Sequence, residues 1–237
     1  MAQPTPDAER WERLIDVAAE FGLRHPEGVL VGGTVAALYA GHRVSLDADF
    51  VLTDLRERFE QLVSALEGDP DWVTARLEPP VLILGRFKGV ETGLRQLRRS
   101  RSLDTTEISV RGQKLRVPTL PEILRIKGWL AVTRNATRDY LDLAALSALA
   151  GVPAAARALV ELDACYRDVY RADAQRDVSV ALQLARQLAE PAPYDLDQTD
   201  LSTYKRLDPR WQDWEVVRRQ LRELAVALTE ALTLDSD

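Results

Sequence analysis

This sequence predicts an α+β fold, with a small mixed sheet and its own helices in front and an all-helical portion behind. Three observations carry the prediction. Short apolar or alternating segments bounded by turn residues recur as far as Val117 and then stop. From Thr119 onward every apolar pattern has helical spacing. Near the start, an apolar strand signal, a glycine pair, a helical pattern and a second strand signal follow one another within 25 residues (about 28–52). The two portions predicted are residues 1–118 and 119–237.

The elements are justified in order. A first amphipathic helix covers about Ala8 to Leu23, with Trp11, Leu14, Ile15, Ala18 and Phe21 on one stripe. Val29 to Val31 reads as a short buried strand. Gly32-Gly33 lets the backbone turn sharply, and Thr34 is suited to cap a helix running through Val35, Ala36, Leu38 and Tyr39. The next strand carries Asp47-Ala48-Asp49 and the apolar run Phe50 to Leu52, and a helix follows at about Leu55 to Leu66. Further strands are expected at Trp72 to Leu77, Val81 to Phe87 and Val90 to Leu94. A last pair is expected at Glu107 to Val110 and Lys114 to Val117, joined by the hairpin signal Arg111-Gly112-Gln113. Thr119 as N-cap and Pro121 in the first turn begin a helix over 119–133. Helices are also predicted at 138–149, 153–170 and 175–189, and from Pro209 to about Leu232. Pro191 to Asp197 reads as a linker. Trp211, Trp214, Leu221 and Leu224 predict that the last helix packs back onto the body.

Two motifs carry chemistry. Side chains alternate along a strand, so Asp47 and Asp49 project on one face while Ala48 points away. Two carboxylates that close make a hard oxygen site of the Mg²⁺ type. A phosphate at the start of the helix after Gly32-Gly33 would meet unpaired N–H groups and the positive dipole end. Downstream, Lys127 lies mid-helix, and Asp139 and Asp142, three apart, share a helix face. A lysine and two acids on one side of consecutive helices could bind a triphosphate and orient a nucleophile. Each motif taken singly has an ordinary structural explanation, as a turn, a solvated strand face or a solvated helix face.

As a set, these residues resemble a known family. Gly32-Gly33-Thr34, then His42-Arg43-Val44-Ser45-Leu46-Asp47-Ala48-Asp49-Phe50, then Lys127, then Arg138-Asp139-Tyr140-Leu141-Asp142-Leu143 is similar to the AbiEii/AbiGii group of nucleotidyltransferase toxins. That group belongs to the superfamily with the polymerase-β-type minimal nucleotidyltransferase fold. The resemblance covers about residues 28 to 150. It implies a nucleotidyltransferase core in residues 1–118, with Lys127 and Asp142 supplied to the site by the helical domain 119–237. It implies transfer of a nucleotide from an NTP, with Mg²⁺, to an acceptor that can be the end of a tRNA, and neutralisation by a cognate antitoxin protein. By the same resemblance, Gly32, Gly33, Thr34 and Ser45 would bind nucleotide and Asp47 and Asp49 would hold metal. Lys127 would meet the phosphates, and Asp142, with Asp139 beside it, would be the late catalytic acid. Many superfamily members carry a third metal carboxylate on a later strand. Here that region reads Gly89-Val90-Glu91-Thr92-Gly93-Leu94, so either Glu91 or Asp142 supplies the charge, or the metal site is weaker.

Composition narrows the classes further. Of 237 residues, 46% are hydrophobic and 29% charged, ordinary for a soluble globular protein. No apolar run approaches a membrane span, and the first residues lack the basic and apolar regions of a signal peptide, so a cytoplasmic protein without membrane contact is expected. The single cysteine, Cys165, has no internal disulfide partner and reads as a packed helix residue. With only His25 and His42 beside it, zinc is not expected. Net charge is −6, yet residues 81–138 hold thirteen Lys or Arg against four acids. The densest part, Arg95, Arg98, Arg99 and Arg101, would attract a phosphate backbone such as an RNA acceptor, or is a solvated loop. Two function classes follow: a nucleotidyltransferase acting on RNA, a protein or a small hydroxyl compound such as an aminoglycoside, and a nucleotide-binding protein of the same fold with little or no turnover.

Overall fold

The computed structural model describes residues 6–174 and 178–234. The chain makes two compact units. One comprises residues up to Val35, Val44–Arg98 and Ser102–Pro118; the other comprises Ala36–Arg43, Arg99–Arg101 and the chain from Thr119 onward. Two short stretches of the front portion, 36–43 and 99–101, therefore belong with the helices.

The first unit is α+β. Its elements are α1 (Pro6–Arg24), β1 (Val29–Val31), the first turn of α2 (Gly32–Ala40), β2 (Asp47–Leu52), α3 (Leu55–Glu67), β3 (Trp72–Glu78), β4 (Leu82–Phe87), β5 (Val90–Gln96), β6 (Thr105–Val110) and β7 (Gln113–Pro118). Five strands form a mixed sheet in the order β1-β2-β5-β4-β3, and β6 and β7 pair separately. Only β2 and β5 run parallel in the large sheet; the register sets Asp47 beside Glu91 and Asp49 beside Gly93.

Turn chemistry explains the β4–β5 and β6–β7 hairpins. Lys88-Gly89 and Arg111-Gly112 both have positive φ at both residues, the backbone twist that tight antiparallel connections require. The core follows from the α1 stripe. Leu14, Ile15, Ala18 and Phe21 are buried, and the Phe21 ring lies 5.1 Å from Phe50 and 5.2 Å from Phe87, centroid to centroid. Trp72 joins this cluster at 6.1 Å from Phe21 and lies over Gly85, where a side chain would collide with the indole.

The second unit is helical: α4 (Leu120–Arg134), α5 (Thr137–Ala150), α6 (Val152–Val160), α7 (Leu162–Ala174), α8 (Val180–Ala189) and α9 (Trp214–Leu234). Thr119 caps α4 by accepting from the Glu122 N–H, and Asn135 in the left-handed region closes it. Gly128 lets α4 approach α6 and α8, since a Cβ there would lie 2.9 Å from both Leu159 and Leu184. The helix expected over 153–170 is two helices, because the chain turns at Glu161, with Leu159 and Leu162 fully buried on either side. The helix expected over 175–189 starts at Val180, where the Ser179 hydroxyl accepts from the Leu182 N–H; residues 175–177 of that expectation lie outside the described residues. Pro209–Trp211 is a separate 3₁₀ turn, and Asp213, accepting from the Glu215 N–H, starts the last helix. Trp211, Leu221 and Leu224 are buried, as their spacing implied.

Phe21→Ala is expected to destabilise the protein by about 3–5 kcal/mol, the usual cost of removing a buried phenyl ring. Urea unfolding followed by tryptophan fluorescence measures it. An unchanged midpoint would mean that α1 does not build this core.

Candidate active site

In the first unit, β2 places Asp47 and Asp49 on one face, and both line a pocket of about 420 Å³ with Glu91, Gly93 and Arg95. Asp47 is exposed and Asp49 half-buried. The Ser45 hydroxyl donates to Asp47 Oδ1 at 2.5 Å and so orients that carboxylate. Gly32, at φ +80°, makes the turn into α2 and brings the backbone close to Asp49; a Cβ there would lie 3.5 Å from Asp49 Oδ2. Thr34 does not cap the helix. It sits inside the first turn, fully buried, and its hydroxyl donates to the Asp47 carbonyl at 2.6 Å, fastening α2 to β2. Gly33 lies beside it at the start of α2, half-buried.

The residues suit a hard divalent cation. The donors are carboxylate oxygens, and the missing side chain at Gly93 leaves the space that the Asp49 carboxylate uses: a Cβ there would lie 2.6 Å from Asp49 Oδ1. Among the described residues no cluster of three or more His, Cys, Asp or Glu is arranged to hold a metal. A two-carboxylate site still matches Mg²⁺, which commonly binds through one or two carboxylates and completes its shell with phosphate oxygens and water. Glu91 lines the same pocket, yet it faces Arg86 at 3.6 Å across the β4–β5 ladder.

In the helical unit the other expected residues form one buried ion cluster. Asp142 is fully buried and accepts from Arg43 Nε at 2.7 Å and Arg43 Nη2 at 3.0 Å, while His42 Nε2 lies 2.8 Å from it. Lys127 Nζ lies 2.6 Å from Asp142 and 3.2 Å from Asp139. Burial by itself would raise the Asp142 pKa, but the charges of Arg43 and Lys127 and the His42 hydrogen bond outweigh it and hold the carboxyl well below the usual range. Asp142, the residue expected as the late acid, is here the hub of an ion cluster. Lys127, also buried, has its charge occupied by the same two acids. Burial next to Asp139 pushes the Tyr140 hydroxyl up to about 12, and it donates to Asn135 Oδ1 at 2.6 Å.

The four arginines expected at an acceptor surface part company. The β5 strand runs on through Gln96, which puts Arg95 on the sheet face, where its Nε donates to Asp49 Oδ1 at 3.1 Å. Arg99 is buried and its guanidinium lies 2.6 Å from Glu122. A buried, paired guanidinium is a core element and not part of a solvated basic strip. Arg98 is exposed, and Arg101 is half-exposed with its guanidinium 3.1 Å from Glu161. Cys165 is buried, and burial raises its thiol pKa, consistent with a packing role.

Among solved structures, the MenT4 nucleotidyltransferase toxin of Mycobacterium tuberculosis H37Rv superposes with a TM-score of 0.61 over 95% of this chain and 86% of that one, at 15% identity. The chain has the nucleotidyltransferase fold. No family model matches it. In sequence it is 32% identical over 175 residues to the mycolic acid-containing lipids exporter MmpL11 of Mycolicibacterium smegmatis, a match covering 69% of this chain and 17% of that protein. It is 35% identical over 135 residues to the heme uptake protein MmpL11 of Mycobacterium tuberculosis, covering 56% of this chain and 13% of that protein. The chain thus spans less than a fifth of the length of these curated relatives. Among the described residues no single helix is long and apolar enough to cross a membrane.

Sequence reasoning missed Gly93 and the roles of His42, Arg43 and Arg95. The signal was period-two alternation: once β5 lies beside β2, residues 91, 93 and 95 share a face with 47 and 49.

The depressed pKa of Asp142 has a pH consequence. Its charge stabilises the fold above the ordinary carboxylate range, and that contribution fades as pH falls through this range toward the folded-state value. Asp142→Asn leaves Arg43 and Lys127 buried without their shared anion. It is expected to cost about 3–5 kcal/mol at neutral pH and to flatten the acid limb of the stability profile. Chemical denaturation from pH 3 to 8 reads both, and a variant as stable as the parent would disprove the hub assignment.

Proposed function

We propose that this protein is a Mg²⁺-dependent nucleotidyltransferase that moves a nucleotide from an NTP to a cellular acceptor, an RNA such as tRNA. In this reading it acts in the cytoplasm as the toxin of a toxin–antitoxin or abortive-infection system, held in check by a cognate antitoxin protein. One observation carries the reading: Asp47 and Asp49 share a pocket beside the Gly32 turn, in a chain whose fold is that of a nucleotidyltransferase. The toxin role rests on the likeness to MenT4 and on the motif order from Gly32 to Asp142.

Gly32 and Gly33 open α2 and would offer backbone N–H groups to the triphosphate. Ser45 would hold the Asp47 carboxylate in one orientation while charge gathers beside it. The divalent ion, taken by Asp47 and Asp49, would neutralise charge on the phosphate under attack. Lys127 and Asp142 act in this reading by position, since they hold His42 and Arg43, at the end of the stretch after α2, against α4 and α5. Of the arginines expected to meet the acceptor, Arg98 and Arg101 remain candidates.

A second reading is favoured by the match to a stretch of much longer transport proteins: the same fold serving as a nucleotide-binding module without turnover. Incubation with each labelled NTP, Mg²⁺ and total cell RNA separates the two. The transferase reading expects label on RNA, lowered by about 10²-fold or more in Asp47→Ala and in Asp49→Ala. Thermal melting of these variants should stay close to that of the parent, because both side chains reach solvent. NTP binding without labelled product supports the module. Undiminished transfer by both variants rules out the metal assignment.

A further inference from the structure

Resting on the transferase reading, we propose that Arg95 competes with the divalent ion for Asp49. Metal alone then binds weakly, and nucleotide and metal bind cooperatively. Three observations lead there. Arg95 Nε donates to Asp49 Oδ1 at 3.1 Å, on the face of β5 that lines the carboxylate pocket. Gly93 is the cross-strand partner of Asp49, two residues before Arg95 on β5, and its missing side chain lets the Asp49 carboxylate lean over β5 toward the guanidinium. Asp47, by contrast, receives the Ser45 hydroxyl, and among the described residues no cation is paired with it. One carboxylate of the pair is thus open to a cation and the other is already matched to one.

The match is of a kind that exchanges. The side chains of Arg95 and Asp49 are 38% and 22% exposed, and ion pairs this open to water are weak. A guanidinium is also a planar fork that suits phosphate oxygens at least as well as a single carboxylate oxygen. When a triphosphate enters beside Asp49, Arg95 has a second anion to move to, and its departure frees Asp49 for the metal. Since coupling is reciprocal, metal raises nucleotide affinity by the same factor as nucleotide raises metal affinity.

The test is Mn²⁺ binding, followed by electron paramagnetic resonance, to the full chain and to Arg95→Gln, without nucleotide and with ATP, CTP, GTP and UTP in turn. Removing a unit positive charge a few ångströms from the ion is expected to tighten Mn²⁺ binding without nucleotide by about tenfold. Nucleotide should then raise Mn²⁺ affinity by a smaller factor in the variant than in the parent. Arg95→Lys should behave like the parent, and Asp49→Asn added to Arg95→Gln should abolish the gain. Melting curves of all variants check that the fold is kept. Equal Mn²⁺ affinity in parent and Arg95→Gln, with nucleotide-dependent binding intact, overturns the inference alone. Mn²⁺ bound by neither protein under any condition overturns the inference together with the transferase reading. A gain of Mn²⁺ binding in Arg95→Gln without detectable transfer to any acceptor supports the inference and removes the catalytic reading.

Discussion

A carboxylate with no exposed surface must find its donors inside the protein, and the helical unit is arranged around the three that Asp142 finds. Arg43 and His42 come from the stretch after α2, and Lys127 comes from the middle of α4. None of these groups could be buried alone without a large desolvation cost. Together they pin residues far apart in sequence to α5. The same stretch is held a second time, because the Asp208 N–H donates to the His42 carbonyl at 2.7 Å. This accounts for residues 36–43 belonging with the helices although strands flank them on both sides.

The motif string from His42 to Phe50 therefore does two jobs in sequence. Its first two residues serve the ion cluster, and Ser45, Asp47 and Asp49 serve the carboxylate pocket. Antiparallel pairing with β1 and parallel pairing with β5 fix the register of β2, while Thr34 ties its carbonyl to the start of α2. Slipping the strand by one residue would turn both aspartates into the core and Ala48 outward, so the register and the chemistry are one constraint.

Much of this was legible in the sequence, for physical reasons that differ by element. The α1 stripe, the Gly32 turn, both aspartates on one face and the Arg111-Gly112 hairpin follow from local periodicity and backbone preference. The break at Glu161 does not, because helical spacing continues across it. The charged residues were the least legible. Lys127, Asp139 and Asp142 read equally well as an exposed face or a site, and the decision depends on Arg43, about a hundred residues away. Arg95 and Arg99 stand four apart in one basic run, yet one lies on a sheet face against Asp49 and the other is buried against Glu122. Composition cannot separate them, since only strand length and helix packing determine where each guanidinium points.

Gly93 carries a consequence at the level of the genetic code. Every glycine codon lies a single base change from an acidic one, so a third carboxylate beside Asp49 is always within mutational reach. The atoms that a new Cβ would meet are the ends of Asp49 and Leu84, at 2.6 and 2.9 Å, which the fold can move aside at little cost. The newcomer would then take the space in which the Asp49 carboxylate is now seated. Drift at this position can thus exchange one acid for another at the seat that Asp49 now holds.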